Sequence, residues 1–165
     1  MLRIFEIFIP FNFFWRTLIF YYLLFFLANF YLFKFKINPG YTKKFIFLLP
    51  LGILFGISTG FLGNYFFEIT KNSSLLFIFP IMVFAEELLF RGLIQNLIKK
   101  SYGRFLAIIF AALIYGIFCM GFGFKIAVFF FAINFMICLV YDFSENIFLT
   151  FVINLIFNLF LFVLI

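Results

Sequence analysis

Apolar runs near the ~20 residues that a helix needs to cross a hydrocarbon core follow one another along this chain, joined by connections too short to fold alone. Six can be drawn: Thr17–Phe33, Phe45–Phe67, Leu75–Ile98, Phe105–Phe124, Ile126–Tyr141 and Ile147–Ile165. In lipid, segments of this kind satisfy their backbone polar groups internally only as helices. The expected fold class is therefore all-α, a polytopic transmembrane helical bundle of about six spans. A composition 68% hydrophobic and 11% charged, with mean hydropathy +1.29, excludes a soluble domain with a large core. The expected localisation is integral to the membrane and multi-pass, in the plasma membrane of a prokaryote. An aromatic stretch around Phe11–Trp15 is expected at the interface. No small-residue cleavage site follows the basic start, so the first run reads as a retained anchor.

The net charge of +6 is spread through loops rather than gathered in one patch, which points to topology and away from a nucleic-acid partner. Lys34, Lys36, Lys43, Lys44, Lys99, Lys100 and Arg104 follow the first and third runs, while Arg3, Arg16, Lys71 and Lys125 fall on the opposite side. The positive-inside rule puts the first group in the cytoplasm and both termini outside. Gly52, Gly56, Gly60 and Gly63 give the second run a smooth face suited to close helix packing, within the molecule in preference to a dimer. Cys119 and Cys138 lie in apolar runs and read as small buried hydrophobes.

Against this background Glu86, Glu87 and Arg91 stand out, because an ionisable group at bilayer depth costs about 3 kcal/mol by insertion scales and marks a functional site by default. Glu87 and Arg91 are four apart on one helix face, in the better orientation for an ion pair. Gln95 continues that face toward Lys99. Glu86 is turned about 100° away around the axis and need not share Arg91. A division of labour follows in which Arg91 keeps Glu87 ionised and Glu86 is left for general-base work. Asn154 and Asn158 share one face of the last run, where an Asn pair also serves as interhelical glue. Counted from the basic side at 1.5 Å per residue, Glu86, Cys119 and Asn158 all fall at roughly 20 Å depth. Asn134 can join them or serve only in packing.

These residues resemble the CPBP family, the CAAX-protease and bacteriocin-processing intramembrane peptidases. The family's first motif, Glu-Glu-x-x-x-Arg, is matched by Glu86, Glu87 and Arg91, with Phe90 and Gly92 beside the Arg. Its second, Phe-x-x-x-His, falls on Tyr115 and Cys119; its third, His-x-x-x-Asn, falls on Asn154 and Asn158. Both motif histidines are replaced, and the chain contains no histidine at all. The resemblance implies a core over residues 75–165, of four spans, behind a two-span preface over 1–74. It also implies a peptidase in which Glu86 activates water, Glu87 and Arg91 support it, and Asn158 donates to the oxyanion. Cys119 and Asn154 stand at substituted motif positions. No cofactor is expected: Glu86, Glu87 and Cys119 can be drawn as zinc ligands, but imidazoles normally supply part of such a shell.

Three functions compete on this reading. One is an intramembrane endopeptidase that cleaves a membrane-associated peptide or protein substrate near its lipid anchor. The alternative is a non-catalytic membrane binding or regulatory protein, such as a bacteriocin self-immunity factor. A third, an ion relay through a small transporter, is opposed by the lack of an inverted repeat and of paired broken helices. The expected partners are membrane lipid and a membrane-associated peptide or protein.

Overall fold

The computed structural model describes residues 43–67 and 79–164, so the first apolar run and the connection over 68–74 lie outside the described residues. Every described element is helical. Helix α1 is Lys43–Phe66. Helix α2 runs over residues 79–102 as an α segment Phe79–Glu87, a π segment Leu88–Gln95 and a second α segment Asn96–Tyr102. Helix α3 is Arg104–Phe118, closed by a 3-10 turn Cys119–Phe122. Helix α4 is Phe124–Ser144, and α5 is Ile147–Leu159 with a π turn Phe160–Leu164.

The breaks between helices have local causes. Gly103 at φ 86° and Gly123 at φ 112° adopt backbone conformations that a side chain would strain, and each separates two helices. Between α4 and α5 the chain reverses within two residues. Glu145 takes the left-handed conformation at φ 53°, and the Asn146 side chain caps α5 by accepting from the Leu149 amide at 3.1 Å. The Asn146 amide in turn donates to the Ser144 hydroxyl at 3.2 Å.

Sequence and structure agree on the second, fourth, fifth and sixth runs to within a few residues, and on α2 as the third. The finer statement of six spans reaches further than the described helices do. By length and composition two of them, Phe45–Phe66 and Phe124–Ser144, are long and apolar enough to cross a membrane. The remaining described helices either carry buried charge or are shorter.

Packing follows from the small residues. Helix α1 lies along α5, one of the two most extensive helix pairs; the other is α3 with α4. At Gly56 and Gly60 a Cβ would stand 2.9 Å from the Ile153 carbonyl oxygen and 3.0 Å from that of Phe157. The glycine face is therefore occupied by α5 of the same molecule, at a separation that only glycine permits. Asn64 donates to the Phe160 carbonyl at 2.7 Å, where α5 passes into its π turn. Helix α2 is flanked by α3 and α5, with α4 completing the enclosure.

Polarity is inverted relative to a soluble fold. Ile46, Phe47, Phe105 and Phe124 are each more than 70% exposed, whereas Glu87, Arg91, Gln95 and Thr150 are completely buried. Hydrocarbon outside and a polar centre is the arrangement a lipid solvent favours. The polar centre is the bundle's chemical content.

Candidate active site

The site is built outward from α2. Its acidic pair closes the first α segment, and Arg91 and Gln95 sit in the π segment that follows. A π turn is widened by one residue, bonding i to i+5, and such turns recur at functional sites. Residues four apart here stay on one inward face, and the stripe Glu87, Arg91, Gln95 is fully buried along its length.

Glu87 holds the centre. Its Oε1 lies 3.1 Å from Arg91 Nη1, with both side chains completely buried, and accepts a 2.7 Å hydrogen bond from Asn154 Nδ2 on α5. Arg91 reaches the other way and donates from Nη2 to Asn134 Oδ1 on α4 at 2.7 Å. Asn158 donates to the Asn154 backbone oxygen at 2.8 Å and to its Oδ1 at 2.9 Å. Further along α2, Gln95 donates to the Cys138 backbone oxygen at 3.0 Å. One ion pair thus joins three helices through neutral amides. Charge is met by charge and amide by carboxylate, as a low dielectric demands.

Glu86 stands at the edge of this cluster. It is 9% exposed, against none for Glu87 and Arg91, and its Oε2 accepts a 3.1 Å hydrogen bond from the Tyr115 hydroxyl on α3. The Tyr115 ring packs edge-on against Phe90 at 4.8 Å between centroids, and Arg91 Cζ lies 5.9 Å from the Tyr115 ring centroid. Cys119 is one turn further along, buried in the same aromatic cluster with Phe90 and Phe130.

The structure thus places Glu86, Glu87, Arg91 and Asn154 in one connected cluster, with Asn158 one bond behind Asn154. On α3 the Glu86 carboxylate accepts from Tyr115, one turn before Cys119, and on α5 Glu87 accepts from Asn154, one turn before Asn158. Asn134 is drawn in through Arg91, which sequence left open between site and packing. The Tyr115 hydroxyl was missed as a site group; its signal was a phenol where the motif has a phenyl ring.

For a metal the donor set does not fit. Among the described residues no three His, Cys, Asp or Glu side chains converge. Glu87 is committed to a guanidinium and an amide, and a buried Arg91 beside it already supplies the positive charge.

At the basic end, Asp142 of α4 takes Lys99 Nζ at 2.8 Å and Arg104 Nη2 at 2.7 Å, tying α2, α3 and α4 together.

A family model described as Rce1-like, type II CAAX prenyl endopeptidase Rce1-like, matches residues 68–160, more than half of the chain and the whole of this cluster. No curated protein matches, and no solved structure does.

Proposed function

The chain belongs to the Rce1-like family of type II CAAX prenyl endopeptidases, within the CPBP group, and from that premise we propose that it is an intramembrane endopeptidase working without imidazole. The observation that carries the reading is the unequal treatment of the two acids. Arg91 is held by Glu87 and Asn134 in the fully buried centre, while Glu86, 9% exposed, accepts from the Tyr115 phenol on another helix. In this scheme Glu86 takes a proton from water, and the hydroxide formed adds to the scissile carbonyl carbon. The proton then passes to the leaving amine as the carbon–nitrogen bond breaks. Asn154 and Asn158 supply amide hydrogens to the oxyanion, a role Asn serves elsewhere. Reaching Asn158 for that purpose requires it to turn away from Asn154. No metal takes part in this reading.

The substrate class is a membrane-associated peptide or a precursor cut near its lipid anchor. The setting is a multi-pass bundle of six spans in a prokaryotic plasma membrane, with the basic face in the cytoplasm. Purified protein in nanodiscs should cleave a lipidated peptide library, followed by mass spectrometry of the products. Cleavage that persists at the same rate in Glu86→Ala rejects the mechanism.

A second reading is favoured by the missing histidines and by a polar cluster whose groups bond to one another. In it the protein binds a partner in the membrane without cutting it, as a self-immunity factor would. A cellular phenotype retained in Glu86→Ala, with no cleavage by wild type, selects this reading.

A further inference from the structure

Glu86 is the acid that the motif and its bond to a second helix single out, and the side chain that meets it there is one the motif match treats as a mere aromatic. We propose that Tyr115 is the positioning residue of this site: its hydroxyl, not an imidazole, fixes the Glu86 carboxylate and feeds it a hydrogen bond from the neighbouring helix. The inference deepens the peptidase reading and takes the role of Glu86 from it.

Three observations carry the assignment. The donor is in place, with Tyr115 Oη 3.1 Å from Glu86 Oε2 across α3 and α2. The phenol is also held. Its ring is 4% exposed and lies among Phe90, Phe118 and Phe130, with centroids at 4.8, 6.2 and 6.2 Å. A ring clamped on this many sides has little freedom to swing its hydroxyl elsewhere, so it presents a preorganised donor. Third, position matters: Tyr115 is one turn before Cys119 on the same helix, so it reaches the acid from the element that would otherwise offer the second motif's histidine. Cys119 itself is buried among aromatic side chains, and a thiol is a weak donor. A phenolic hydroxyl is the stronger donor of the two, because its O–H bond is the more polar.

The test is the reactivity of Glu86, read without any substrate. Dicyclohexylcarbodiimide enters lipid and modifies carboxyl groups in their protonated form, and tandem mass spectrometry locates the adduct on Glu86 or Glu87. Tyr115→Phe keeps the ring and removes only the donor. A carboxyl group no longer held by that hydroxyl is freer to meet the reagent, so labelling of Glu86 at fixed pH should rise about ten-fold. Replacing Tyr115 by 3-fluorotyrosine, an isosteric and stronger donor, should slow labelling below wild type. Tyr141→Phe, which removes a hydroxyl bonded to Asn96 instead, should leave Glu86 labelling unchanged. Equal labelling of Glu86 across all these proteins, including none in any, overturns the proposal. Where lipidated peptides are cleaved, Tyr115→Phe should lower kcat with KM retained. Cleavage indifferent to Glu86→Gln sinks the peptidase reading alone, since the labelling result stands apart from it.

Discussion

Arg91→Leu is expected to be the most damaging single substitution in the bundle, and its size can be worked from the geometry. Both side chains of the pair are wholly buried, with Nη1 3.1 Å from Glu87 Oε1. At that separation the attraction is about 5 kcal/mol for an effective dielectric constant near 20. Leucine forfeits it and strands a carboxylate, which insertion scales put at about 3 kcal/mol at the centre of a bilayer. Breaking buried pairs elsewhere costs about 3–5 kcal/mol, so a loss of about 3 kcal/mol is the expected outcome. The variant Glu87→Leu/Arg91→Leu leaves no unpaired charge. It should cost only about 1 kcal/mol, because Asn154 and Asn134 each lose a partner. Unfolding in mixed micelles with rising sodium dodecyl sulfate, followed by circular dichroism, measures all four proteins of the cycle. A single-variant loss below about 1 kcal/mol, or a double variant equal to the sum of the singles, refutes the reasoning.

Other expectations use the same titration. Gly56→Ala should cost about 1–3 kcal/mol, since its Cβ would meet the Ile153 carbonyl oxygen at 2.9 Å. Gly52→Ala should cost at least as much, because its Cβ would overlap both Cγ1 and Cδ1 of the stiff, β-branched Ile153 side chain. Asn154→Leu removes the amide bonded to Glu87 and should cost about 1–2 kcal/mol, more than Asn158→Leu, whose amide bonds only to Asn154 among the described residues. The reverse order would show that Asn158 is the acid pair's true partner. Asp142→Asn should loosen the basic end by about 1–2 kcal/mol through its bonds to Lys99 and Arg104. An effect equally large in Glu145→Gln, whose carboxylate is 77% exposed, would argue against that clamp.

Much of this molecule is legible in its sequence alone. Apolar length announces helices, because a backbone in lipid has few other ways to satisfy itself. The i, i+4 relation of Glu87 and Arg91 is intrinsic to one helix, and so is that of Asn154 and Asn158, whose amide and carbonyl oxygen lie 2.9 Å apart. The spaced glycines foretold close packing for the same reason, although which helix would fill the groove was not encoded locally. Buried charge in an apolar run likewise marked the site by cost alone.

Relations between helices belong to tertiary structure. That Glu87 takes Asn154 and Glu86 takes Tyr115 depends on tilt, on rotation and on the π turn at Leu88–Gln95, none of which a residue count contains. Asn134 shows the same limit: its sequence suits packing glue and guanidinium anchor equally, and only the placement of α4 against α2 selected the second. Sequence determined which groups were too costly to bury without a purpose, since that cost is a property of each side chain in hydrocarbon. Structure decided which partners relieve the cost, since hydrogen bonds and ion pairs act over ångströms between atoms far apart in the chain.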